Sequence, residues 1–173
     1  MDGESTSIYA DGLHARSLDS GRHLSRTRVK TLQAELSHRI PLGWRIVGEN
    51  MQAKHSIYYE ALPSHFLVFA IFDDKNVALA WDSTVLFAKE YGLHYAPVLY
   101  QGIWDEKQIK ACLRGRSQFG EESEGYVVRL SDAIAFDEWG YSVAKYVREG
   151  HVQKGAEHWS KGEVTGNRLV GEA

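Results

Sequence analysis

Short strand-like runs joined by tight turns constrain this chain more than any other feature of its sequence. In "TSIYADGLHARS" two alternating segments flank Asp11-Gly12, a pair favoured in two-residue hairpin turns because it tolerates positive φ. "HFLVFAIFD" turns through "DDKN" into "VALAW", which predicts a second hairpin. "WRIVGEN", "YAPVLY", "GYVVRL" and "YSVAKYV" read as further strands. A helix is predicted over 26–40, where Val29, Leu32, Leu36 and Ile40 recur at helical spacing, Ser25 caps the start, and Pro41 with Gly43 ends it. A second helix is expected from a cap at Asp82 to Gly92, and a short one from Asp105 through "EKQIKACL". Strands and helices do not alternate regularly, so the pattern predicts an α+β fold of antiparallel β-sheets with flanking helices, not a doubly wound sheet.

A chain of 173 residues suits one domain. That domain is expected over 1–150, followed by a C-terminal tail at 151–173, partly packed through Trp159 or flexible. The single cysteine, Cys112, permits no intrachain disulfide and no Cys-based zinc cluster, which points to a reducing, cytoplasmic setting. No apolar run approaches the roughly 20 residues of a membrane span, and the polar N-terminus lacks a signal-peptide pattern, so no membrane partner is expected. A net charge of −3 argues against a strongly basic nucleic-acid coat. It says nothing of local patches, and nothing sets the oligomeric state.

One such patch runs through "LHARSLDSGRHLSRTRVK", where Arg16, Arg22, Arg26, Arg28 and Lys30 face a single acid, Asp19. The band could hold phosphate oxygens; on this stretch alone a solvated loop and helix start is the preferred reading. Glu49 in "RIVGEN" and Glu124 in "SEGYVVRL" sit beside glycines within strand-like runs, where a carboxylate is costly unless paired, hydrated or liganded. A strand-end acid facing solvent accounts for one such pair but less well for two. Lys145 in "SVAKYVR" shares a strand face with Val147, and Tyr146 and Arg148 take the other; blunting an edge strand is its plain role. Phe69 reads as core. The histidines, among them His55 and His151, have no metal-ligand spacing.

Taken in order, "MDGEST", "LHARS", "GEN", "FLVFAIFD", "EGYVVR" and "AKYVR" resemble the motifs of covalent nucleotidyltransferases, especially the RNA ligase 2-like branch of the ATP-dependent polynucleotide ligases. The resemblance runs from residue 1 to about 150. It implies the ATP-grasp-like nucleotidyltransferase fold of a ligase adenylation domain, ATP and Mg²⁺ or Mn²⁺ as cofactors, and RNA ends as partners. In that family a Lys-x-Asp-Gly lysine attacks the α-phosphate of ATP, and lysyl-AMP then gives RNA-adenylate. Met1, Asp2 and Gly3 match x-Asp-Gly, so the nucleophile belongs directly before Met1 and the chain is expected to be truncated. By the same comparison Arg16 engages phosphate or the RNA end, Glu49 binds ribose, Phe69 stacks on adenine, Glu124 meets the catalytic metal, and Lys145 contacts phosphate. Val147 stands where the family has a second lysine, with Arg148 one residue later. A non-catalytic nucleotide- or RNA-binding module beginning at Met1 is the alternative, and DNA-joining or cap-forming nucleotidyl transfer shares the same motifs.

Overall fold

The computed structural model describes residues 1–16, 23–113, 115–150 and 164–172. Asp19, Arg22, His151 and Trp159 lie outside them. The N-terminal hairpin pairs β1 (Glu4–Tyr9) with β2 (Gly12–Ala15). Its turn is Ala10-Asp11, one residue earlier than the sequence suggests, because Gly12 already pairs with Tyr9 and no residue there has positive φ. A 3-10 turn (Leu24–Arg26) leads into α1 (Thr27–Leu36). This helix is shorter than the apolar spacing predicts, and its cap differs too: Ser25 lies within the 3-10 turn, where its N–H donates to His23 Nδ1.

β3 (Arg45–Asn50) and β4 (Phe66–Phe72) form the centre of the main sheet, and β4 turns through Asn76 at φ 61° into β5 (Val77–Ala78). α2 (Trp81–Glu90) follows and stops at Gly92 with φ 69°. Ala80, not Asp82, occupies its N-cap, and Asp82 sits in the first turn, where its charge still favours the helix dipole. Of the predicted "YAPVLY" strand only Tyr95 is in a strand, as the end of β6 (His94–Tyr95); Ala96 N–H makes one further bond to Val68 O before the chain leaves the sheet. α3 (Glu106–Cys112) starts at Asp105, whose carboxylate accepts from Gln108 N–H as a cap should. The remaining elements are β7 (Gly125–Arg129), β8 (Ile134–Ala135), a 3-10 turn (Phe136–Glu138), the one-turn α4 (Trp139–Ser142) and β9 (Val143–Val147).

Among the described residues the strands form two sheets. The larger has the order β2-β1-β3-β4-β5-β8, with β6 also on β4, and the smaller is the β7–β9 pair. Every pairing is antiparallel except β4–β6. The α+β architecture expected from the turns is therefore the observed one.

A register shift between Val47 and Gly48 decides which side chains reach which face. Val47 opposes Ala70 and Gly48 opposes Val68, which leaves Phe69 as an unpaired extra residue on β4. A β-bulge of this kind re-aims side chains and strengthens twist. Before it Phe66 and Val68, and after it Ile71, join Ile8 and Ile46 in a core covered by α1 and α2. Ala70 and Phe72 instead join Val47, Ala78 and Ile134 on the opposite face, against which Phe69, Trp139 and Val143 pack. Gly48 permits the crossing: a Cβ there would lie 2.6 Å from the Phe66 ring and 2.7 Å from Leu67 O.

A third cluster, Met51, Ile57, Tyr59, Leu62 and Leu67, closes one end of the sheet. Residues 164–172 cross beneath it, with bridges from Ala53 to Gly166 and from Leu62 to Leu169. Asn167 locks this crossing: its buried amide donates to Met51 O and Ala53 O at 2.8 and 3.1 Å, and its Oδ1 accepts from Tyr59 N–H at 2.9 Å.

Candidate active site

The face of the main sheet opposite α1 opens toward the β7–β9 pair, and the first three residues run along its edge. Gly3 lies so close to β3 that a Cβ would meet Asn50 O at 2.6 Å, Met51 Sδ at 2.8 Å and Glu49 Cγ at 3.0 Å. That approach lets Gly3 N–H donate to Glu49 Oε1 at 3.1 Å. Asp2 is held on both sides. Its Oδ2 accepts from Ser56 and Ile57 N–H at 2.7 and 3.0 Å, and its own N–H donates to the Tyr59 hydroxyl at 3.0 Å. Burial raises the Tyr59 phenol above its ordinary range, so it stays protonated and its oxygen accepts this bond.

Glu49 shares the cleft face of β3 with Val47, because alternation sends Ile46 and Gly48 the other way. Burial raises its carboxyl to about 7; the Met1 ammonium and the Gly3 amide oppose that rise, and Glu124 adds to it. Glu124 stands directly before β7, not within it as the sequence suggests. Its side chain is buried, with Oε1 2.8 Å from Lys145 Nζ and Oε2 4.0 Å from the Met1 amino group. Lys145 arrives from β9 in register with Val127, and Gly125 opposes Val147. A Cβ on Gly125 would lie 1.9 Å from Tyr146 O, so only glycine allows these strands to meet beside Glu124.

Four separated segments thus converge: Met1–Gly3, Glu49, Glu124 and Lys145. The other predicted site residues are placed less directly. Phe69 sits half-buried at the bulge on the cleft face. Arg16 is exposed and extends the β1–β2 ladder by one bond, from its N–H to Ser5 O at 2.9 Å. Ser5 pairs with Glu49, so Arg16 stands two strand spacings from it, about 10 Å. Arg148 turns away from the carboxylate of Glu124: its guanidinium pairs with Glu122 and donates to Ser123 O, while its N–H donates to Glu124 O at 2.9 Å.

Within the basic band, Arg26 is tied down. It is buried and forms a two-pronged ion pair with Glu4, whose hydrogen bond raises its pKa further. Lys30 is exposed, and Arg28 reaches Glu172 at 3.9 Å. Three residues that sequence reasoning passed over support the cleft: Tyr59, Asn167 and Arg129. Arg129 donates to Phe69 O and Leu79 O at 3.4 and 3.1 Å and lies over the rings of Trp81 and Trp139, joining the small sheet to the large one. "EGYVVR" ends on this arginine, a sequence signal that was available; Tyr59 and Asn167 had none.

The family model described as RNA ligase matches residues 1–147. The chain belongs to the RNA ligase family. No curated protein and no solved structure matches it. The match spans every segment that builds the cleft of this RNA ligase domain, from Asp2 to Lys145, and supports an RNA ligase-type function in general. Among the described residues, no group of three or more His, Cys, Asp or Glu is arranged to hold a metal ion, and no helix is long and apolar enough to cross a membrane.

Proposed function

We propose that this cleft is the nucleotide site of an ATP-dependent RNA ligase and that the chain seals adenylylated RNA ends. The convergence of Met1–Gly3, Glu49, Glu124 and Lys145 carries the reading, because four segments place two carboxylates and an ammonium around one opening. Glu49 is suited to accept from ribose hydroxyls, and Phe69 offers a ring face for adenine. Arg16 and Lys145 supply cations for phosphate oxygens.

Mg²⁺ binds through one or two carboxylates, with water and substrate phosphate completing its shell. The Glu124 carboxylate fits that requirement without a three-residue cage. When bound, the ion withdraws charge from the phosphate oxygens. Lys145, 2.8 Å from Glu124 Oε1, would contact those oxygens from the same side. In sealing, the 3′-hydroxyl oxygen bonds to the 5′-phosphorus of the adenylylated strand, the bond to AMP breaks, AMP leaves with the electron pair, and the hydroxyl proton passes to water.

The test is joining of 5′-adenylylated RNA to a 3′-hydroxyl strand with Mg²⁺. Lys145→Met and Glu124→Gln are each expected to slow it about 100-fold or more, the scale of removing one preorganised charge from a transition state. Tight binding of adenylylated RNA without joining would mark a binding module instead.

A further inference from the structure

The β7–β9 pair has two faces, and the nucleotide cleft uses one. Register places Val127, Arg129, Val143, Lys145 and Val147 toward the main sheet, and Tyr126, Val128, Ala144 and Tyr146 away from it. The outward tyrosines pair directly across the strands, with ring centroids 5.2 Å apart and planes 25° apart. α3 and the residue chain before it stand opposite, contributing Ile109, the stem of Lys110 and Trp104. Between them lies a cavity of about 210 Å³. This is smaller than the roughly 300–1,000 Å³ pockets that enclose drug-sized ligands and suits one flat ring.

Three properties point to the occupant. Trp104 is 66% exposed, and Ile103 beside it 90%, so large apolar surface stands in water with nothing among the described residues covering it. Lys110 borders the cavity, paired with Glu106 at 2.6 Å, and Lys145 leaves the same rim on the opposite face of β9. The Lys145 ammonium meets Glu124 in the cleft, so cleft and cavity lie on the two faces of one strand. Aromatic faces beside cations are the recurring means of holding single-stranded nucleic acid, because every base has a π-face and every linkage an anionic phosphate.

We infer that this cavity is a stacking site for an unpaired RNA base near the end held in the cleft. The strand crosses the β9 edge at Lys145, which contacts the intervening phosphate, and the base enters between Trp104 and the Tyr126–Tyr146 pair. The inference rests on the RNA ligase reading of the cleft, and the experiment separates the two.

Binding of a fluorescently labelled single-stranded oligoribonucleotide is measured by anisotropy with the whole chain and with Trp104→Ala and Trp104→Phe. Trp104→Ala is expected to weaken binding about tenfold, within the range for loss of one base–aromatic stack, and Trp104→Phe to restore most of it. Joining is then compared for a long adenylylated strand and for a donor of one nucleotide, which fills the cleft but cannot reach the cavity. Trp104→Ala should slow only the long strand at subsaturating concentration. If the parent chain joins neither donor, the cleft reading fails; if it joins both and Trp104→Ala changes neither binding nor joining, the stacking site is overturned. A dimer in sedimentation that Trp104→Ala dissolves, with RNA affinity unchanged, would also overturn it in favour of a second copy of the chain.

Discussion

Glu49→Gln is expected to stabilise the protein by about 3 kcal/mol at pH 8 and by almost nothing at pH 4.5. The cause is burial, which raises the Glu49 carboxyl from an ordinary 4.5 to about 7. A carboxyl with a raised folded-state pKa binds its proton more tightly in the folded chain than in the unfolded one. Stability therefore falls as pH rises from about 4.5 to 7, and the whole cost persists above that window. Glutamine is neutral throughout and keeps an oxygen for the Gly3 N–H, so the cost disappears. Thermal melts of both proteins at pH 4.5, 6 and 8 should diverge progressively, by about 6–12 °C at the highest pH. Parallel melting curves at every pH would show that Glu49 is not held in a desolvated state. A group kept at such a cost is typical of a binding or catalytic position, where stability and activity conflict.

Gly125→Ala should abolish joining while leaving most of the fold intact. Its Cβ would meet three backbone atoms of the partner strand, Tyr146 O at 1.9 Å, Tyr146 C at 2.9 Å and Val147 Cα at 3.0 Å, none of which can rotate aside. The β7–β9 pair must open at this end, and a two-stranded sheet has little to hold it together. Glu124 and Lys145 lie at that end, so their 2.8 Å contact is lost. Misplacement by about 1 Å is enough for a 100-fold loss of rate, and an opened ladder moves them further. The α1–α2 core and the Tyr59 cluster draw no residue from these strands, so far-UV circular dichroism should change little. Gly140→Ala is the control, since a Cβ there meets nothing within 4 Å. Joining retained in Gly125→Ala would show that the pairing of β7 with β9 does not position the site.

The strands and their antiparallel pairing were legible because alternation and turn residues are local signals. The limits of α1 were not, because Arg26 folds into a buried pair with Glu4, twenty-two residues earlier in the chain, and delays the α-helix to Thr27. "YAPVLY" carries strand composition, yet of it only Tyr95 joins His94 on the open segment of β4 beside Leu67 and Val68. Glu49 and Glu124 stood out in the sequence because charge in apolar runs demands a partner. Tyr59 and Asn167 did not, since their work is done on backbone groups far away in the chain: Asn167 bonds Met51, Ala53 and Tyr59, more than a hundred residues distant. That Phe69 sits at a bulge was equally hidden, because a bulge depends on how two strands meet and neither strand announces it alone.

We propose that the opening beside Met1, Glu49, Glu124 and Lys145 is an adenylylation cleft. The Met1 amino group stands 4.0 Å from Glu124 Oε2, so a residue added there enters the cleft. The direct measurement is transfer of label from α-labelled ATP, with Mg²⁺, to the chain carrying one added lysine before Met1 and to the same chain carrying alanine. The account predicts acid-labile, lysine-linked AMP on the first protein and none on the second. Equal labelling of both, or no labelling of a folded lysine-bearing chain, would contradict it.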